Sequence, residues 1–265
     1  MFSTSLIVTT YNNPVRLNLC LQSILQQSIL PDELLIADDG SGIATSELIM
    51  QFSSKFKINV KHVWQEDDGF QLCRIRNKAF AQSACDYLIQ TDGDLIFHKH
   101  FVRDHIAFAK AGCFVSGART NIDEYQTELL LKNTAAPQLK YYSKGLEKRY
   151  NALRNGFLRK LNGLLQTSPH NMHYVLGCNM AFWKKDLQEV NGYNEVFKGW
   201  GKEDNDIAAR LINAGKKLRF LKFGGIVFHL WHKGDSASML HENEKIFNQS
   251  IQNNLTVAEK GMDQY

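Results

Sequence analysis

The chain has 265 residues, 44% of them hydrophobic and 22% charged, with eighteen glycines and four prolines. Such proportions belong to folded globular proteins and exclude collagen-like, low-complexity and wholly disordered chains. The net charge of +4 does not by itself point to nucleic acid, but it is unevenly spread. Residues 132–165 hold Lys132, Lys140, Lys144, Lys148, Arg149, Arg154, Arg159 and Lys160 against the single acid Glu147, so the rest of the chain is net acidic.

Leu6–Thr10 is a short β-branched run that reads as a buried strand. Asn12-Asn13-Pro14 ends it, and Pro14 suits the first turn of a helix whose apolar residues fall at 17, 21, 24 and 25. Leu34–Ala37 is a second strand, closed by Asp38-Asp39-Gly40-Ser41. The same logic predicts a helix over 44–54, a strand over Ile58–Val63, a helix over 73–84 and a strand over Tyr87–Gln90, broken at Asp92-Gly93-Asp94. Strands alternating with helices predict right-handed βαβ units and a mostly parallel sheet, with ligand loops at the carboxyl ends of the strands. Past residue 120 the alternation stops. Residues 121–170 are polar, basic and partly helical. After them come the apolar stretch Tyr174–Trp183, helices near 184–190 and 203–214 (the second capped by Gly215), and a strand over Gly225–His229. The layout divides into a nucleotide-binding half, 1–120, and a second half, 121–265, that completes one unit.

Cys20, Cys73, Cys85, Cys113 and Cys178 are odd in number and form no Cys-x-x-Cys pair, which fits a reducing compartment. Met1–Thr10 carries no basic leader, and no apolar run approaches the ~18 residues of a membrane span. The expected location is therefore the cytoplasm, with peripheral contact to the inner face of a membrane as the variant.

Two acidic clusters end predicted strands: Asp38-Asp39 and Asp92-Gly93-Asp94. Asp-Gly alone is ordinary turn chemistry, yet both clusters fall where a parallel sheet places a nucleotide. Asp92 and Asp94, at i and i+2, can aim at one hard cation on a diphosphate. A third cluster, Gly199–Asp206, opens a helix whose first turn favours Glu203 and Asp204 on electrostatic grounds. Trp200 between two glycines is unexplained by that, and suits a ring stacking on a sugar. His229 and His232 follow on the last strand; in an extended segment they face opposite ways, so only one, with His229 favoured, reaches Asp94. His98, His100 and His105 read as surface residues.

In order, Ile7-Val-Thr-Thr-Tyr-Asn12, Ala37-Asp-Asp-Gly-Ser41, Arg74-Ile-Arg-Asn77, Asp92-Gly-Asp94 and Gly199-Trp-Gly-Lys-Glu-Asp204 resemble a family 2 glycosyltransferase, with a galactosyltransferase-like carboxyl region. The resemblance implies a GT-A fold: α/β, a Rossmann-like mostly parallel sheet with helices on both faces and a carboxyl-terminal acceptor side. It also implies a UDP-sugar donor, Mn2+ or Mg2+, and inversion at the anomeric carbon. Residue by residue it implies that Thr9, Tyr11 and Asp39, with Asp38 as a weaker candidate, hold uracil and ribose. Arg76, or Arg74 as its alternate, lies near the nucleotide, while Asp92 and Gly93 approach the ribose or a metal-bound water. Asp94 ligates the metal, completed by His229, and Gly177-Cys178-Asn179 lies near the donor sugar. Asp204 is the general base with Glu203 orienting the acceptor or standing in for it, and Trp200 and Gly201 meet the acceptor. An acceptor hydroxyl is a poor nucleophile near neutral pH, so inversion needs one carboxylate base and no protein nucleophile.

Within the basic segment Leu146, Tyr150, Leu153, Phe157, Leu161 and Leu164 keep helical spacing. One amphipathic helix is expected, packing its apolar stripe on the domain, lying on anionic lipid over 143–165, or drawing in an anionic acceptor. The expected activity moves a hexose or N-acetylhexosamine, of galactose or N-acetylgalactosamine type, from a UDP-sugar to a surface glycan or lipid-linked acceptor such as lipopolysaccharide or capsule. Two rivals are a sugar nucleotidyltransferase, which should show a Gly-rich phosphate loop where this chain has Thr9–Pro14, and a non-catalytic sugar- or membrane-binding protein on a degenerate transferase fold. Nucleic acid is not an expected partner, because no recognised binding motif occurs.

Overall fold

A computed structural model describes residues 2–133, 135–166, 172–234 and 238–265. The first half alternates as the sequence predicts: β1 (Thr4–Thr10), α1 (Pro14–Leu25), β2 (Glu33–Asp38), α2 (Ile43–Ser53), β3 (Asn59–Trp64), α3 (Leu72–Gln82) and β4 (Tyr87–Asp92). Pro14 occupies the first turn of α1, and the Asn13 side chain caps that turn by accepting from the Arg16 N–H at 3.3 Å. There follow β5 (Leu95–Phe97), α4 (Phe101–Phe108), β6 (Cys113–Gly117), β7 (Thr120–Ile122), α5 (Glu124–Leu131), β8 (Leu146–Glu147) and α6 (Gly156–Leu165). The chain ends with β9 (Asn179–Trp183), α7 (Lys184–Glu189), α8 (Glu203–Asn213), β10 (Lys217–Leu221), β11 (Val227–His229) and α9 (Leu240–Gln252).

Seven strands form the main sheet in the order β10-β6-β9-β4-β1-β2-β3, parallel throughout except for β9, which runs antiparallel between β6 and β4. Every residue of β1 is buried, because helices cover both faces of a parallel sheet. Leu6 and Val8 join the core formed with Leu17, Leu21 and Ile49, whereas Ile7 faces the opposite core with Ile75 and Phe80. The period-two alternation of side chains thus splits one apolar run between two layers. A smaller sheet, β5-β11-β7-β8, closes the far side of the carboxyl ends over its own core of Leu19, Ile96, Ile122 and Phe228.

The single helix expected over 146–164 does not form. Leu146 pairs with Ile122 across β7 and β8, Lys148 takes a left-handed φ of 52°, and a 3-10 turn spans Arg149–Ala152. α6 then starts afresh, with Asn155 capping the Leu158 N–H at 3.0 Å. Of the six stripe residues only Leu146 is buried, so the expected packing of the stripe on the domain is also overturned. Two of the basic residues are drawn inward instead: Arg154 and Arg159 both bond the fully buried Asp104 of α4.

His105 is buried, not at the surface as expected, because α4 turns it onto Asn179, whose Oδ1 lies 2.9 Å from its Nε2. Burial lowers its pKa to about 4, so the ring is neutral.

Candidate active site

The carboxyl ends of β1, β2 and β4 open into a cleft of about 990 Å3, closed on the far side by the start of α8 and the segment after β11. The topological reversal of a doubly wound sheet falls between β1 and β4, which is where ligands settle in such sheets. Thr9, Tyr11, Asp39, Arg76, Asp92, Gly93, Asp94 and His229 line it together with Trp200, Gly201, Glu203 and Asp204. Of the residues that the sequence nominated for the site, Asp38, Asn179 and the alternate Arg74 do not reach the cleft, and the others do.

Asp38 ends β2 pointing away from the cleft. Its carboxylate accepts from the Ser41 N–H at 2.9 Å and lies 2.8 Å from His62 Nε2, so it shapes the turn. Adjacent residues at a strand end face opposite ways, and it is Asp39 that turns into the cleft. Asp39 accepts from Gln65 Nε2 at 2.6 Å and the Gln71 N–H at 2.9 Å. Burial pushes its carboxyl up to about 6, against the pull of those two donors. Tyr11 is half exposed, its hydroxyl donating to Asp67 at 2.9 Å, while the Thr9 hydroxyl is buried without a protein partner.

The Asp92 and Asp94 carboxylates part company. Asp92 receives Arg76 Nη2 at 3.2 Å; burial raises its carboxyl to about 6 although Arg76 opposes this. Between them Gly93 donates its N–H to the Thr9 carbonyl at 2.7 Å, and a Cβ there would meet that oxygen at 3.0 Å, so a side chain would have to push the backbone aside. Asp94 faces two histidines, with His229 Nε2 at 3.2 Å and His232 Nε2 at 3.1 Å. The expectation that only one of them reaches it fails because β11 stops at His229, so the strand alternation does not extend to His232. Burial would raise the Asp94 carboxyl, but hydrogen bonds from both histidines hold it well below the usual carboxylate range.

These three side chains fit a divalent cation. Their ligand atoms lie within 4.8 Å of one another, and Asp94 Oδ1 is buried with no protein partner. One carboxylate and two imidazoles supply the mixed oxygen and nitrogen donors that divalent first-row metals take.

Across the cleft, Gly199 and Gly201 take φ values of 64° and 114°, which L side chains rarely adopt, and they carry Trp200 out to 44% exposure. Asp204, in the first turn of α8, is held by three donors: Arg76 Nη1 at 3.0 Å, the Tyr193 hydroxyl at 2.8 Å and the Gly177 N–H at 3.0 Å. Arg76 is 1% exposed and bridges Asp92 to Asp204, so the two sides of the cleft share one buried guanidinium. This is why Arg76, in place of Arg74, occupies the cleft. Gly177 has no room for a Cβ, which would strike the Asp204 carboxylate. Asn179, placed by resemblance near the donor sugar, is instead a fully buried brace that donates to the Ala118 and Gly225 carbonyls.

Sequence reading missed Tyr193, whose hydroxyl also accepts from Gln90 at 2.9 Å. It missed Arg119 and Trp231 in the cleft wall as well. Nothing in their local spacing marks them, since each is brought in by a distant element.

Glu203 is buried beside Asp204 and accepts from the Gly201 N–H at 2.9 Å. Burial, reinforced by the Asp204 charge, raises its carboxyl from 4.5 to about 7. Over that window the folded protein keeps a proton that the unfolded chain has lost, so this group's contribution to stability falls as pH rises through it. Glu203→Gln is expected to raise stability by about 2 kcal/mol at about pH 8 and by nothing measurable at about pH 4, as read by urea unfolding. An equal gain at both pH values would show that the carboxyl titrates normally.

The comparisons agree with this geometry. The family model described as glycosyl transferase family 2 matches residues 5–190, and one described as the N-terminal domain of galactosyltransferase matches residues 167–233. A chondroitin synthase of Escherichia coli is 27% identical over 244 residues, 85% of this chain and 34% of that protein. A hyaluronan synthase of Pasteurella multocida is 28% identical over 239 residues, 85% of this chain and 24% of the relative. The chain thus spans about a third or less of the length of these curated relatives. The structure of S. aureus TarS 1-349 in complex with UDP-GlcNAc superposes with a TM-score of 0.67 at 17% identity, covering 99% of this chain and 69% of that one. The mannosyltransferase PcManGT from Pyrobaculum calidifontis, in complex with GDP-Man and Mn2+, gives 0.61 at 16% identity over 88% and 58% of the two chains. Those likenesses establish the GT-A fold. With the ordered motifs converging on one cleft and a family model covering most of the chain, this protein belongs to glycosyl transferase family 2 and is a glycosyltransferase.

Proposed function

We propose that the protein is an inverting, divalent-cation-dependent transferase that moves a hexose or N-acetylhexosamine, of galactose or N-acetylgalactosamine type, from a UDP-sugar to a surface glycan such as lipopolysaccharide or capsule. The observation that carries this reading is the cleft itself: an Asp94–His229–His232 cation set and the Asp204 carboxylate line one cleft, where Arg76 ties Asp204 to Asp92. The matched galactosyltransferase model and the UDP-GlcNAc complex of TarS support a UDP-hexose donor, and the synthase relatives support a polysaccharide acceptor.

Thr9, Tyr11 and Asp39 would take uracil and ribose, with the unpartnered Thr9 hydroxyl free to bond the nucleotide. Asp94, His229 and His232 would hold the cation, which as Mn2+ or Mg2+ supplies charge neutralisation for the departing diphosphate. Asp204 would act as base. Its three bound donors occupy three of roughly four carboxylate lone-pair sites, which leaves one Oδ2 site for the acceptor hydroxyl. As that hydroxyl oxygen bonds to the anomeric carbon, the bond to UDP breaks on the opposite face and the hydroxyl proton passes to Asp204. Trp200 offers a ring against the acceptor sugar, and the buried Glu203 orients the Gly201 loop.

A screen of UDP-, GDP- and dTDP-sugars with Mn2+ tests the donor class. UDP-galactose or UDP-N-acetylgalactosamine is expected to raise the melting temperature, because a ligand bound only by the native state stabilises it by mass action. Stabilisation by GDP- or dTDP-sugars alone would overturn the proposed donor.

A further inference from the structure

α6 is built inside out. On a surface helix the apolar stripe normally faces the core. Here Arg159, Gly163 and Gln166 face inward: Arg159 bonds Asp104, the Gly163 carbonyl accepts from Arg219 Nη2 at 3.1 Å, and Gln166 Nε2 donates to the Phe220 carbonyl at 2.5 Å. Phe157, Leu158, Leu161, Leu164 and Leu165, which follow helical spacing, all face solvent, with Phe157 at 74% and Leu164 at 73% exposure. The helix lies along β10, the edge strand of the main sheet, and its attachment is made by polar anchors that leave the apolar face outward. A cluster of large exposed side chains on one rigid element marks an interaction surface.

We propose that this face is a membrane-contacting element that seats the enzyme on an anionic lipid surface. The flanking chemistry argues for lipid over protein. Lys144, Lys148 and Lys160 are exposed, and among the described residues none of them is in an ion pair. Tyr141, Tyr142 and Tyr150, in the same basic segment of the chain, are exposed as well. Lysine is depleted in protein interfaces, whereas lysine beside Phe, Leu and aromatic rings is the composition of a helix lying in the headgroup region. Glu147, the only acid in this segment, is also a cleft residue, so a short connection joins the lipid-facing helix to the rim of the active site. The inference stands independently of which sugar the cleft transfers.

Sedimentation of the full chain with vesicles tests it. The protein is expected to pellet with phosphatidylglycerol-containing vesicles and about tenfold less with pure phosphatidylcholine, with binding weakened by salt. The triple variant Phe157→Ser, Leu161→Ser, Leu164→Ser is expected to lose binding by about tenfold or more while keeping its melting temperature and its donor hydrolysis. Lys144→Gln, Lys148→Gln and Lys160→Gln together should lose most of the preference for anionic lipid. Should the serine variant fail to fold, Phe157→Trp in the otherwise unchanged chain decides, since its emission should shift to the blue on anionic vesicles relative to the parent's. Absence of pelleting by the parent chain, an unshifted emission from the Phe157→Trp protein, or serine-variant binding equal to the parent's would overturn the proposal. So would a concentration-dependent dimer abolished by the serine substitutions without vesicle binding, which would make the face a self-association surface.

Discussion

Asp94→Asn is expected to lower Mn2+-dependent turnover of the donor by about a thousandfold, with Mn2+ affinity falling in parallel. The substitution keeps shape and removes charge, and Asp94 is the one anionic group in the Asp94–His229–His232 set. Its Oδ2 already meets both imidazoles, and its Oδ1 is buried without a partner, so the carboxylate is oriented before any ligand arrives. His229→Ala and His232→Ala should each weaken Mn2+ binding by a smaller factor, about 10–100-fold, because each removes one imidazole ligand and leaves the carboxylate. Isothermal titration with Mn2+ alone, beside turnover assays across a Mn2+ series, checks both steps. Unchanged Mn2+ affinity in the Asp94→Asn protein would remove the proposed metal set.

Asp204→Asn is expected to cut transfer by about 10²–10⁴-fold while leaving UDP affinity within a small factor. Asn preserves the volume and an oxygen that accepts from the Gly177 N–H, but it cannot take the acceptor proton. Arg76 keeps Asp92 as its partner, so the donor side of the cleft stays charge-balanced. Transfer kinetics with a glycan acceptor, paired with UDP titration, separate the base from a binding residue. If Asp204→Asn transfers normally and Glu203→Gln does not, the base is the neighbouring carboxyl, whose raised pKa of about 7 suits proton transfer near neutrality.

Much of this site lay open to sequence reasoning because its residues fall at strand ends and one helix start. Asp39 directly follows β2 and Asp92 ends β4, and chain direction in a parallel sheet puts both loops on one edge. Errors arose where a local period was extended past its element. The alternation rule separated His229 from His232 only while the strand continued, and β11 ends at the first of them. Likewise the helical spacing from Leu146 to Leu164 crosses a strand pairing, a left-handed Lys148 and a 3-10 turn, because Ile122 and Asp104 claim Leu146, Arg154 and Arg159 for tertiary contacts. Asp38 illustrates the same limit on a scale of one residue: adjacent acids look equivalent in sequence, yet His62 and the Ser41 N–H take one and the cleft receives the other.

The alternating elements, the mostly parallel sheet and the acidic loops at its carboxyl edge are legible locally, since they follow from side-chain periodicity and turn chemistry acting over a few residues. What each charge does depends on partners brought in from far along the chain. Arg76 meets Asp92 and Asp204, residues 16 and 128 positions away, and Tyr193 completes the Asp204 cradle from a loop with no acidic signature. The apolar face of α6 turns outward because Asp104, on a helix far upstream, takes Arg159 and fixes the rotation of the segment. Burial and ion pairing are properties of the assembled neighbourhood, and sequence spacing carries no record of which distant group supplies the partner.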